Sequence, residues 1–422
     1  MNRRPQGWQL WKVAGCLRGM AVAASLVAST GCERAPDGKP IAASRVLGEV
    51  GISPGQYAFP RCLDTDGRSL WVIDKLARVQ RVDLKTGKGL SGWKMPDSDL
   101  GKPTGITVFD PTGRDEDQLV FVADTHYHRV LVYRPGPLGS RKNAPVASFG
   151  SYGREDGQFI YPTDIAVLPD AEGGIGRVYV SEYGGNDRIS IWEPVTDQAT
   201  TENQPTPQPP PSPHPGRGSE TQFRFVRSFG VYGDEAAAGQ VAFRRPQALE
   251  IDHVRQRLVV ADACNHRIGL FTLDGAPIKW IGAAKDGSQI AAGQNVESPL
   301  RYPYGLTLLD DGTALVAEFG AARVSRVDLD KGTIVATYGK PGRGDGELTT
   351  PWSVVVTGDD AFVLDSGNNR IMAFAAPAPR NEVARAGAGT PRLAHAGADA
   401  SGSKPKPGDV ERANTQQQEE AP

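Results

Sequence analysis

The 422-residue sequence predicts an all-β protein, a closed ring of six four-stranded antiparallel sheets whose last sheet is completed by an N-terminal strand. Three observations carry this expectation. A proline-led unit with three short apolar strands recurs along the chain, and self-similarity of this kind marks a ring or an array rather than a set of unlike domains. An apolar piece ending in aromatic-Gly, followed by a glycine-rich turn, lies between units. A segment of the same type, 45–59, precedes the first unit, and nothing like it follows the sixth.

The units are led in order by Pro60, Pro103, Pro162, Pro246, Pro303 and Pro351. Each runs from its proline through a first strand to a second strand ending in an acid, then a polar turn, then an arginine that opens a third strand. "RPQALEID…RLVVADACNHRIGLF" and "TPWSVVVTGDDAFVLDSGNNRIMAF" are the clearest copies, and "FPRCLDTDGRSLWVIDKLARVQRV" is the weakest. The arginines are Arg78, Arg129, Arg188, Arg267, Arg323 and Arg370. The fourth, outer strand of each sheet falls between units, as in "VASFGSYGREDGQF" and "VATYGKPGRGDGEL". Its glycines are expected because a tight connection between sheets visits backbone angles closed to residues with a Cβ. Joining segment 45–59 to the sixth unit supplies the missing strand and removes an exposed edge. The result is a six-bladed β-propeller spanning 44–375.

The flanks read differently. Arg3, Arg4, Lys12 and Arg18 precede an uncharged run from Gly19 to Cys32, too short to cross a bilayer but suited to a signal sequence. Its end, Ser29-Thr30-Gly31-Cys32, resembles a bacterial lipoprotein cleavage box, with Ser29 where leucine is usual. Residues 1–32 are therefore expected to be a lipoprotein-type signal peptide with Cys32 as the lipidated residue, and 33–43 a tether. The implied location is outside the bacterial cytoplasm, anchored by lipid and facing the periplasm or the exterior. A proline-rich insertion, 203–219, interrupts the third unit between its third and outer strands. Residues 376–422 lack apolar periodicity and are expected to be a disordered tail. Cys16 lies in the signal, and Cys62 and Cys264 fall on opposite sides of the ring, so neither a disulfide between them nor a cysteine zinc site is expected.

The pattern Pro-x-x-apolar strand followed by Asp-x-x-Asn-x-Arg-Ile resembles the NHL repeat, most specifically at Asp262–Ile268 and Asp365–Ile371. The resemblance implies a six-bladed propeller, consistent with the count above. Its members range from RNA- and protein-binding platforms to peptidylglycine amidating lyases, so it fixes no function. The lyases hold zinc with histidines, one of them straight after the proline that leads a blade. Here those positions are Arg61, Thr104, Thr163, Gln247, Tyr304 and Trp352, so that triad does not carry over.

The recurring acid and arginine look catalytic singly, but their repetition argues for a structural role. Asp124 with Arg129, Asp262 with Arg267 and Asp365 with Arg370 are the firmest pairs. Looser versions are Asp74 with Arg78, Glu182 with Arg188 and Glu318 with Arg323. His126 and His128 fall in that same turn, and His128 aligns with His266. They read as turn variants, and the metal alternative would recruit His126, His128 and Asp164 as weak zinc candidates. A calcium alternative would gather Asp164, Glu182, Glu250 and Glu318 near the axis. No catalytic set is expected, and no cofactor, with zinc or calcium as the alternative.

The turns on one face of the ring should collect Arg61, His126, Tyr127, His128, Tyr161, Asp164, Tyr183, His266, Tyr304, Phe319 and Trp352 around a concave mouth. Such a surface suits a peptide, glycan or small ligand. The expected role is a monomeric, membrane-tethered binding or scaffold module for an envelope protein, peptide or glycan. A metal-dependent lyase or hydrolase working in the channel is the alternative. The formal net charge of -2 lacks the basic footprint of nucleic-acid binding.

Overall fold

In a computed structural model, which describes residues 39–195, 221–233, 240–282 and 300–378, six four-stranded antiparallel sheets form the blades of a β-propeller. Blade 1 comprises Pro60–Thr65, Ser69–Asp74, Arg78–Asp83 and Gly89–Lys94, taken from the inner strand to the outer one. Blade 4 comprises Pro246–Asp252, Arg257–Asp262, Arg267–Thr272 and Pro277–Gly282 in the same order. The inner strands of blades 2, 3, 5 and 6 are Gly105–Phe109, Tyr161–Pro169, Pro303–Leu308 and Pro351–Thr357.

Blade 6 takes its outer strand, Arg45–Leu47, from the far end of the chain. Val46 pairs with Met372 and Leu47 with Ile371 in antiparallel register, as the unpaired N-terminal segment required. Leu47 is buried between blades 6 and 1 beside Ile371 and Leu63. The ring extends slightly beyond its expected limits. Residues 39–43, assigned to the tether, lie against it, with Ile41 buried near Leu348 and its N–H donated to the Gly346 carbonyl at 2.8 Å. Ala376 likewise donates to the Asp359 carbonyl at 2.8 Å. Residues 1–38, with Cys32, and the tail from 379 onward lie outside the described residues. So does the proline-rich insertion, whose flanking strands Arg188–Pro194 and Phe223–Phe229 are the third and outer strands of blade 3.

Burial explains the strand compositions. Second strands such as Arg257–Asp262 have neighbours on both edges and a blade against each face, and every residue in that strand is buried. Outer strands such as Pro145–Phe149 lie at the rim and alternate between partly buried and exposed. Adjacent blades enclose six apolar clusters, one per interface. The aromatic-Gly signature has a steric cause. Gly150 and Gly230, at φ +86 and +102, lie beneath Phe159 and Phe243, and a Cβ would stand 2.3 and 2.5 Å from those rings.

Candidate functional site at the mouth of the ring

All six acid–arginine pairs are closed. The Nε–carboxylate distances are 2.9 Å for Arg78–Asp74, 2.9 Å for Arg129–Asp124, 2.6 Å for Arg188–Glu182, 2.7 Å for Arg267–Asp262, 2.8 Å for Arg323–Glu318 and 3.1 Å for Arg370–Asp365. A two-pronged grip on both oxygens of one carboxylate is formed by Arg323, whose Nη2 reaches Glu318 Oε2 at 3.2 Å. Elsewhere the second prong pins the loop leading into the blade. Arg188 donates to the carbonyls of Glu155 and Gln158 at 3.0 and 2.9 Å, and Arg370 to those of Gly344 and Glu347 at 2.9 and 2.8 Å. The acid fixes the same lead-in. The backbone N–H two residues before the blade proline donates to it, as from Ile160 to Glu182 at 2.7 Å and from Arg244 to Asp262 at 2.7 Å. In blade 2 this bond is missing, and Asp124 Oδ1 is buried with no partner among the described residues. Burial pushes Asp124 and Asp262 up to about 6.

The turn between second and third strands needs a left-handed residue. His128, His266 and Asn369 occupy it at φ 58, 57 and 54, and His and Asn are among the few non-glycine types that adopt this conformation readily. Their side chains then reach the next blade. The N–H of Tyr302 donates to His266 Nδ1 at 3.1 Å, that of Phe59 donates to Asn369 Oδ1 at 2.6 Å, and His128 Nδ1 meets the Ile160 carbonyl. Both histidines at this position are thus staples between blades. Tyr127 also lies outside the mouth, its hydroxyl accepting from the Leu100 N–H at 3.1 Å and its ring beneath Arg129.

The other expected residues do converge, in a belt with a contribution from every blade. Arg61 lies on the Trp352 ring at 4.6 Å, and Trp352 meets Tyr304 and Phe319 at 5.1 and 5.7 Å between centroids. Arg245 lies between Tyr304 and Tyr183, at 5.3 and 4.7 Å. Tyr183 meets Tyr161 at 5.2 Å, and Tyr161 meets His126 at 5.5 Å. His126, whose Nδ1 is buried without a partner among the described residues, is the last of the series. Burial and the charges of Lys102 and Arg61 hold it below the ordinary histidine range.

This belt is rich in donors and poor in acceptors. Neither Arg61 nor Arg245 forms an ion pair with a described carboxylate, and Arg61 is pushed down by burial and by Arg245. Arg61 Nε and Trp352 Nε1 are buried with no partner among the described residues, as is Nε2 of Gln247, a residue 2% exposed. The Gln247 amide is oriented by Arg245 Nε, which donates to its Oε1 at 3.0 Å, so the free end is a donor. Leaving one such group unsatisfied costs about 1–3 kcal/mol, and three in one place amount to a site short of an acceptor.

Below the belt the inner strands enclose a channel of about 210 Å³, lined among others by Gln247, Trp352, Asp64, Asp164 and Glu250. Asp164 therefore belongs to the channel wall, where Leu249 donates its N–H at 2.9 Å and ties blade 3 to blade 4. Asp64 does the same for blades 1 and 2 through Val108 N–H at 2.6 Å. Burial raises Asp64 to about 7 and Asp164 to about 8, in the second case with help from the Asp64 charge. Burial, then Asp64 and Asp164, also raise Glu250. The proposed calcium quartet does not assemble, because Glu182 and Glu318 are fully buried on Arg188 and Arg323 in the blade turns. Among the described residues no three of His, Cys, Asp and Glu are grouped to hold a metal ion. His128 Nδ1 is turned to the Ile160 carbonyl and Asp164 lies in the channel wall, so the three zinc candidates are not brought together among the described residues.

Arg245, Gln247 and Asp64 were not expected at the site. The available signal was the Arg244-Arg245 pair directly ahead of Pro246. Arg245 shares a left-handed conformation, φ 58, with Phe59, Lys102 and Tyr302, each immediately before a blade proline. That is unusual, since a following proline favours extended backbone.

No family model matches the chain, and no curated protein does. Among solved structures, the PQQ-bound aldose sugar dehydrogenase of Streptomyces coelicolor is similar at 18% identity and a TM-score of 0.46, covering 79% of this chain and 97% of that one. A streptogramin B lyase is similar at 12% identity and a TM-score of 0.44, covering 78% and 95%.

Proposed function

We propose that this chain is a divergent NHL-type propeller that works as a binding module, taking a peptide or glycan of the cell envelope, or a protein carrying one, at the mouth of its ring. The observation that carries this reading is the belt of contacts from Arg61 through Trp352, Tyr304, Arg245, Tyr183 and Tyr161 to His126, with donors that lack partners among the described residues. Aromatic faces bounded by polar groups around a concave opening suit a ligand that is partly apolar. The signal-like N-terminus and Cys32 support export and lipid anchoring.

A panel of envelope-derived peptides and glycans, titrated against the purified chain and its Trp352→Ala variant, tests the binding role. Binding that weakens tenfold or more while the melting temperature holds supports it, and binding indifferent to Trp352 overturns it. Anchoring is tested separately: Cys32→Ser should move the protein from the membrane fraction to the soluble one.

A further inference from the structure

We propose that the mouth is a carboxylate site, in which Arg61 and Arg245 supply the charge and Gln247 Nε2 and Trp352 Nε1 supply hydrogen bonds. The inference rests on the binding reading above and names the ligand's chemistry. Three observations lead to it. Two guanidinium groups face one opening without an ion-pair partner among the described residues, each stacked on aromatic rings that hold it in place. Asp187, the acid bonded to Arg245 among the described residues, accepts from the backbone N–H groups of Arg245 and Gly185 at 2.5 and 3.0 Å and does not pair with the guanidinium. Besides His126 Nδ1, the buried groups still lacking partners there among the described residues, on Arg61, Gln247 and Trp352, are N–H donors. Such a set accepts an anion, and a planar guanidinium matches a carboxylate in shape.

The channel favours an anion that carries an organic remainder. Asp164, Asp64 and Glu250 line the cavity that Gln247 and Trp352 also line. A carboxylate can meet the arginines and send a neutral or donor-bearing remainder down toward these acids, which inorganic phosphate cannot. The carboxylate can come from a peptide C-terminus or from a sugar acid.

Both sources are tested on the full chain by calorimetry. The probes are N-acetyl amino acids and hexuronic acids, each beside its neutral amide, with inorganic phosphate as a further probe. At least one acid should bind tenfold or more tightly than its amide. Arg61→Gln should abolish that preference, and Trp352→Phe, which keeps the ring and removes its N–H, should weaken the acid several-fold without moving the melting temperature. Which acids respond separates the peptide source from the sugar source. Phosphate binding more tightly than every carboxylate would overturn the proposal. Acids and amides binding alike, yet sensitive to Trp352→Ala, would overturn it and leave the binding module standing. No binding by any probe would overturn the carboxylate assignment, whereas the envelope panel judges the binding role independently.

Discussion

Two sets of arginines occupy this ring under opposite conditions. Arg267, 9% exposed at its side chain, meets Asp262 at 2.7 Å and the Ala242 carbonyl at 2.7 Å, so its charge and its donors are matched locally. Arg61 and Arg245 rest on aromatic faces without a paired carboxylate among the described residues. The first arrangement recurs in six blades and fastens each to its own lead-in loop. The second is formed where the six copies differ from one another. Repetition therefore marks the charges that hold the fold, and the unmatched charges mark the surface that meets something else.

The largest effect should come from opening a matched pair. Asp262→Ala strands the Arg267 charge in the blade, and breaking a buried pair this way costs about 3–5 kcal/mol, read as a lower urea midpoint. A loss no greater than that of a surface substitution would erase the contrast. The channel acids should give a smaller, pH-dependent effect. Their folded-state values, about 7 for Asp64 and about 8 for Asp164, lie above the roughly 3.9 of an unfolded aspartate. The folded ring thus keeps protons that the unfolded chain has released, and the associated stability is complete below about pH 4 and lost as pH rises through 7 to 8. The urea midpoint should fall from pH 5 to pH 9, and Asp164→Asn should flatten the fall. A midpoint that stays level over this range would show the acids ionised at both ends.

Arg61→Gln should then change stability by less than about 1 kcal/mol, because it removes an unmatched charge whose neighbour Arg245 is also positive. The same readout sharpens the comparison, since Arg267→Gln in a matched pair should cost several times more. The smallest effect belongs to His128→Asn, expected within about 0.5 kcal/mol, because Asn369 fills the aligned position at φ 54 and also bonds to the next blade. A loss as large as that of Asp262→Ala would give His128 a role beyond the staple.

The ring and its closure were legible because they depend on repetition: an unpaired segment at one end and a missing strand at the other imply the Val46–Met372 pairing. The site was legible in part. Arg61, Tyr304 and Trp352 follow their prolines and could be counted out blade by blade. Asp164 was misplaced because the inner strands shift register just after the proline, as between Pro162 and Asp164, and parity counting fails across a bulge. Tyr127 and His128 were grouped with His126 because they adjoin it in sequence. The tight turn Thr125–Tyr127 and the left-handed His128 after it send Tyr127 to Leu100 and Arg129, while His126 and His128 both pack on Tyr161 and His128 alone reaches the Ile160 carbonyl. Arg245 was missed because its direction depends on a backbone conformation that its position before a proline argues against.

The borrowed strand of blade 6 also sets a timetable. Ser44 and Arg45 meet Ala373 across 329 and 328 intervening steps of chain, 373 − 44 and 373 − 45. During synthesis the first strand must wait, unpartnered, until nearly the whole ring has emerged, and contacts between such distant residues form slowly. Any fragment ending before Ile371 should therefore leave sticky strand edges at both ends, and a chain threaded across a membrane would complete its circle only after the last blade had arrived.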